Sequence, residues 1–457
     1  MNIREKKENK YAILIYFLMF FLLVFKVNFY AENVGRFPDE GVHISYIAYL
    51  EKTGNVIPEF ENMTRIELVR ENMYHFSDTD INYLGHPPLY YHIMRLSGGV
   101  NITEGTVKVD IDALRNFSQL IAYIGIIIAF YIGYKAIDLL PLHLLYSGII
   151  VSVPMLTYTM AGVNNDTLSF LGLSIVILAL FKYKNEEQNF LTYLILSLGI
   201  FITMLSKLTA GLILIVALGI FITREIMDKK SLKFIFNKNM MLTLPLYLFV
   251  IIYFLIIFIK YRTVHPGLKT IAPDYFYTTG FYVEPAKRVI MTFKKYINYY
   301  WENFFRTWIG IHSHVSMAKT GSLFQFNSIG LLSIWFLPIM SFFTIKKTKY
   351  KNAFSYVYIG VLVASFVQFI RAYNGFIVNG YKGSYQSRYY LCALPAMAIL
   401  ICLWVKDRYE YIKKELVVQG KDTKVIEICF FLICLAFVGL LIYGDIIYFL
   451  INFNKYI

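Results

Sequence analysis

Apolar runs separated by short polar stretches organise this chain from end to end. Eleven of them lie near 11–30, 117–137, 142–161, 167–183, 190–206, 208–223, 240–260, 328–345, 353–370, 389–405 and 425–451. An α-helix needs roughly 20 apolar residues to cross about 30 Å of hydrocarbon. The pattern therefore predicts an all-α polytopic membrane protein with about eleven transmembrane helices, the whole of 1–457 forming a single integral membrane domain. Two spans around LSKLTAG are short and nearly continuous, with Lys207 between them. Two polar stretches, 30–116 and 261–327, are much longer than the others and read as large external loops.

Sidedness follows from the short connections. KYKNEEQN, REIMDKKSLKFIFNKN, TIKKTKYKN and VKDRYEYIKKELVVQGKDTK are rich in Lys and Arg. Short loops with that bias stay in the cytoplasm, whereas long loops cross with charges on them. The N-terminus is then cytoplasmic and both long loops are extracytoplasmic, in a multi-pass protein of the cell membrane. MNIREKKENK before YAILIYFLMFFLLVFKVNFY has the layout of a signal peptide. The apolar run is too long for a usual h-region and no small-x-small site follows, so it reads as a retained first span.

Composition adjusts this picture in two places. The chain is 57% hydrophobic and 16% charged, against about 25% charged in ordinary soluble domains. Its net charge is +14, but the cations cluster between apolar runs rather than along an extended polar face. The lipid bilayer is the expected partner and nucleic acid is not. Cys392, Cys402, Cys429 and Cys434 all lie in apolar segments without a CxxC pair, and read as small core hydrophobes.

The first external loop carries the most concentrated chemistry. In FPDEGVHISYIAYLEKTG, Pro38 suits a first helical turn, which sets Asp39 and Glu40 where the helix dipole favours acids. Val42, Tyr46, Ile47, Tyr49 and Leu50 continue at amphipathic spacing to Thr53-Gly54. Asp39 and His43, four apart, share one face. HPPLYYHIMRLSGG predicts a second short surface helix, entered at Pro87-Pro88 and left at Gly98-Gly99. Two such helices would wall a cavity above the spans.

Other polar residues fall at span ends. GVNNDTLSF sets Asn164, Asn165 and Asp166 on an external turn, and Arg371 ends a span on the same side. GSYQSRYYLCALP puts Gln386 and Arg388 at the outer mouth of a late span. Each has an ordinary reading: a helix cap for Asn and Asp, snorkelling for Lys207, interfacial anchoring for the arginines. Against these, ionisable groups at membrane depth mark function, and guanidinium forks suit phosphate. His312 and His314 have the spacing of a metal pair but lack a third ligand at a fixed distance, and WENFFRTWIG predicts an interfacial aromatic helix.

PDEGVH…AYLEKTG, HPPLYY, NND, SKLTA and YQSRYYLCALP, in this order, resemble the polytopic glycosyltransferases of the GT-C class. That class includes protein O-mannosyltransferases and lipid A aminoarabinose transferases, and the likeness extends to bacterial members whose first loop opens with Pro-Asp-Glu and a nearby His. The resemblance implies transfer of a sugar from a polyprenyl-phosphate donor to a glycan, lipid or protein acceptor at the extracytoplasmic face. Asp39 corresponds to the family's first-loop acid, with Glu40 beside it, and Asp166 to the second-loop acid of some members. The expected catalytic set is Asp39, Glu40 and His43. The expected substrate-binding set is His86, Tyr90, Asn165, Asp166, Lys207, Arg371, Gln386 and Arg388. A divalent cation stays open as cofactor, since Asp39, Glu40 and Asp166 offer oxygens without metal-specific spacing. The competing readings are a transporter or flippase of lipid-linked sugars, which would need broken or repeated helices, and a polymerase or ligase of envelope glycans.

Overall fold

Each of the eleven apolar runs is helical. The computed structural model describes residues 3–35, 37–185, 187–231, 233–234, 237–309, 322–344 and 350–452. In chain order the elements are α1 (Ile3–Asn33), α2 (Glu40–Thr53), β1 (Thr64–Arg70), β2 (Met73–Ile81), α3 (Leu89–Arg95), β3 (Val100–Thr103), β4 (Thr106–Val109), α4 (Ile111–Ala136), α5 (Leu140–Ser152), α6 (Pro154–Ala161), α7 (Asp166–Lys184), α8 (Phe190–Met204), α9 (Leu208–Lys229), α10 (Lys238–Tyr261), α11 (Leu268–Ile271), α12 (Pro273–Phe276), α13 (Phe293–Ile309), α14 (Ser322–Met340), α15 (Lys351–Asn379), α16 (Leu394–Val418) and α17 (Lys424–Asn452).

Among the described residues eight helices are long and apolar enough to cross a membrane. α5 and α6, bent by 57° between them, would make a ninth. α8 and the 328–343 stretch are shorter apolar helices, so the count of eleven becomes eight full-length spans and shorter pieces. The chain is a multi-pass membrane protein. Phe17 and Phe25 on α1, Ile251 and Phe258 on α10 and Ile433 on α17 are exposed. An apolar belt of that size belongs against lipid.

The breaks have local causes. Pro154 lacks an N–H and pushes Val153 out of the helical region, so the α5 ladder stops at Ser152. The Val151 carbonyl beside this break accepts a hydrogen bond from Lys26 Nζ at 2.7 Å, and Lys26 also pairs with buried Asp445 on α17. α7 and α8 pack closely because Gly172 and Gly199 lie between them; a Cβ at either would meet the neighbouring backbone at 2.8 Å.

The external layer contains a four-stranded antiparallel sheet of order β1-β2-β4-β3, which the helical expectation for 30–116 did not include. Its β3–β4 turn has Glu104 at φ 50° and Gly105 at φ 78°, the doubly positive pair that a tight hairpin needs. α2 packs against β1, β3 and α3, and Val42 to Leu50 are all buried. The amphipathic surface helix expected here is instead covered on every side. The segment 262–292 lies over this layer. Tyr275 Oη donates to Asp80 Oδ1 at 3.1 Å, and Phe281 packs on Tyr83 with ring centres 5.1 Å apart. Gly85 is required here, since a Cβ would sit 1.8 Å from the Pro266 carbonyl oxygen. α13 buries Tyr300, Phe304 and Trp308 against its neighbours. Cys392, Cys402 and Cys434 are buried as expected of core residues, whereas Cys429 is exposed.

Candidate functional site

Asp39 does not cap α2 in the ordinary way. It occupies the N-cap position with φ 57° and ψ 16°, in the left-handed region, and its side chain makes no capping hydrogen bond. Asp tolerates that region better than most residues, and the conformation turns the carboxylate away from the helix. Oδ1 accepts from Tyr83 Oη at 2.7 Å, and Oδ2 pairs with Arg388 Nη2.

Arg388 lies on the 3₁₀ turn Ser387–Ala393 that leads into α16, with Gln386 at its N-cap. Its Nε is 3.9 Å from Asp166 Oδ2. Asp166 opens α7, and its Oδ1 accepts from Lys207 Nζ at 2.5 Å. Lys207 stands extended in the break between α8 and α9, its ammonium 4.6 Å from the Tyr389 ring centre. Asn165 fixes this break by donating from Nδ2 to the Ser206 carbonyl at 2.9 Å. Four sequence-distant segments therefore bring Asp39, Arg388, Asp166 and Lys207 into one alternating row of charges. The Asp39 side chain keeps 24% of its surface exposed against 5% for Arg388. Asp39 is the member of that pair which an incoming molecule reaches.

Several donors and acceptors in this row are unused. Arg388 Nε and Nη1, Asp166 Oδ2 and Asn165 Oδ1 are buried without a hydrogen bond. Burial alone would raise the Asp39 carboxyl, but Arg388, His43 and the Tyr83 hydroxyl outweigh it and hold it below the usual carboxylate range. Burial and the neighbouring Asp39 push the Tyr83 hydroxyl up, so it stays a donor.

The remaining expected residues fall in four places. His43 is buried one turn along α2, its Nδ1 3.0 Å from Tyr91 Oη. Burial, helped by Arg388 and Lys207 against Asp39, brings it down to about 3 and keeps it neutral. Glu40 has other partners: Arg115 grips both its oxygens at 2.9 and 2.7 Å and the Val163 N–H donates to Oε1 at 3.0 Å. Tyr90 is buried and bonds Ser118 at 3.0 Å. His86 stacks on His265 with ring centres 5.6 Å apart, and Arg371 Nη2 donates to His265 Nδ1 at 3.2 Å. Burial first and Arg371 second lower His265 to about 3. His312 and His314 lie outside the described residues.

Sequence reasoning missed Tyr83, Arg115 and His265. Arg115, at the outer end of a span, carried the signal that singled out Arg371; the other two had none. Among the described residues no group of three or more His, Cys, Asp or Glu is arranged to hold a metal ion. Asp39 and Asp166 face Arg388 and Lys207, and Glu40 faces Arg115, so these oxygens do not fit a divalent cation.

No protein-family model matches the chain, and no curated protein does. Among solved structures, the chain is similar to ArnT from Cupriavidus metallidurans bound to undecaprenyl phosphate, with a TM-score of 0.50 at 11% identity over 98% of this chain and 77% of that one. The apo state of the same ArnT gives a TM-score of 0.49 at 12% identity over 97% and 77%. The similarity is one of fold: polytopic and helical.

Proposed function

We propose that the chain is a glycosyltransferase that moves a sugar from a polyprenyl-phosphate carrier to an envelope acceptor at the extracytoplasmic membrane face. The observation that carries this reading is the row Asp39–Arg388–Asp166–Lys207, in which a partly exposed carboxylate stands beside two buried cations. The fold supports it, since the ArnT of similar fold has been solved with undecaprenyl phosphate bound.

Each part of the row answers a need of the reaction. An acceptor hydroxyl becomes nucleophilic as its proton passes to Asp39. Its oxygen bonds to the anomeric carbon while the bond from that carbon to the phosphate oxygen breaks, leaving polyprenyl phosphate. Arg388 and Lys207 face the charge that grows on that oxygen. Attack opposite the phosphate inverts the anomeric centre. Tyr83 holds the base in place through its 2.7 Å hydrogen bond, and Glu40, bound to Arg115, fixes the turn that presents it.

The test is incubation of the purified protein with a panel of polyprenyl-phosphate sugars, reading release of polyprenyl phosphate. Asp39→Asn keeps the side-chain shape and the left-handed backbone but removes the base, so turnover should fall by roughly 10²–10⁴. Release at the wild-type rate by this variant, or no release from any donor in the panel by the wild type, would sink the reading.

A further inference from the structure

The row that would meet a phosphate is already neutral. Asp39 pairs with Arg388 and Asp166 with Lys207, so the four side chains carry no net formal charge. A phosphate arriving here finds each cation engaged by a carboxylate.

Arg388 is nevertheless under-used. A guanidinium has five N–H donors, and here the buried Nε and Nη1 make no hydrogen bond. Nε comes no nearer than 3.9 Å to Asp166 Oδ2, which is itself unbonded. Burying donors without partners is unfavourable, and an anionic oxygen beside Nη1 would satisfy that nitrogen. Arg388 also touches Asp39 through Nη2 alone, the weaker one-point form of a pair whose stable form is a two-point fork.

We propose that Arg388 is shared between Asp39 and the phosphate of the lipid-linked donor, so that phosphate binding draws the guanidinium from Asp39 and turns that carboxylate into an effective base. The inference rests on the glycosyl-transfer reading above and adds how the site is regulated. A carboxylate clamped by a guanidinium holds protons weakly; released from it, the same group gains proton affinity. Base strength nearer the working pH is what proton abstraction needs. Tyr83, braced by Phe281, keeps Asp39 oriented when Arg388 shifts. Lys207 keeps its bond to Asp166 throughout. Without donor the base stays idle, which protects the protein from deprotonating unproductive molecules at an open site.

Coupling of this kind is reciprocal: if phosphate weakens the Arg388–Asp39 pair, Asp39 must weaken phosphate binding. Binding of undecaprenyl phosphate to the full chain in lipid nanodiscs tests this across wild type, Asp39→Asn, Arg388→Gln and the double variant. Asp39→Asn should bind about 10-fold tighter than wild type, within the usual range for such couplings. Arg388→Gln should bind more weakly, and adding Asp39→Asn to it should change nothing. Inorganic phosphate is the second probe: the same ordering assigns the competition to the phosphate group, and an ordering seen only with the lipid adds the tail to what is recognised. The proposal is overturned if Asp39→Asn binds no tighter, or if it tightens equally in the Arg388→Gln background, because simple removal of negative charge then explains the gain. Either result leaves the transfer reading standing on its own assay. Failure of every form to bind the lipid phosphate removes both.

Discussion

Exchanging Glu40 for Gln tests whether the turn before α2 is held from behind. Arg115 grips both Glu40 oxygens and also donates to the Ala31 carbonyl at 3.1 Å. Its guanidinium stacks over Phe37, 4.6 Å from the ring centre. One cation thus joins the end of α1 to the start of α2, on both sides of left-handed Asp39. The two side chains are 11% and 9% exposed, so the pair counts as buried. Removing one partner of a buried pair costs about 3–5 kcal/mol, and the amide that replaces the acid returns about 1 kcal/mol as one neutral hydrogen bond. The expected loss for Glu40→Gln is about 2–4 kcal/mol. Unfolding in mixed detergent micelles, followed by tryptophan fluorescence, measures it, with Arg115→Met and the double variant completing a cycle. The double variant should be less destabilised than the sum of the singles, because no charge is then left stranded. Turnover should fall in all three as Asp39 loses its fixed turn, while binding of lipid phosphate persists. Wild-type stability in Glu40→Gln, or strictly additive singles, would refute the clamp.

Three further outcomes follow from the same geometry. His43 takes a proton near 6.5 when unfolded but only at about 3 when folded. Unfolding therefore takes up a proton between those values, and stability falls with falling pH by up to about 1.4 kcal/mol per unit; His43→Gln should flatten that slope, and an unchanged slope would exclude His43 as its source. Gly85→Ala puts a methyl group against the Pro266 carbonyl, so proteolysis of 262–292 should quicken and transfer weaken; wild-type resistance would mean the loop does not dock there. Single cysteines replacing Asn62 and Asp228, with Cys429 removed, should label with an impermeant reagent in intact cells at position 62 and not at 228, and the reverse pattern inverts the membrane orientation.

The spans were legible because burial in lipid writes itself as length and apolarity, and all eleven runs are helical. The breaks were partly legible: Lys207 marked one, but Val153-Pro154 passed inside an apolar run, where a single proline weighs little against its neighbours. The sheet was invisible because β1 and β2, TRIELVR and MYHFSDTDI, alternate poorly and gain their order from α2 and the overlying 262–292 segment. Asp39, Asp166, Lys207 and Arg388 each stood out alone, as charges at span ends. Their mutual pairing did not, since nothing in a linear sequence says that two carboxylates will meet the two cations expected to hold phosphate. Glu40 was read as a partner in chemistry because it adjoins Asp39. Adjacent residues at a helix start do not share a face, and here the second acid meets Arg115.

Lys26 and Asp445 bear on how the chain is assembled. They sit on α1 and α17, near opposite ends of the sequence, and meet at the Val151 carbonyl in the bend between α5 and α6. A lone ammonium or carboxylate within lipid is expensive. During synthesis Lys26 enters the membrane before either the Val151 carbonyl or Asp445 has been made. The partly made protein therefore carries an unsettled charge in its first span until the last helix arrives. The pair exists only when α1 and α17 are both in the bundle, so a chain without α17 leaves Lys26 with the Val151 carbonyl alone.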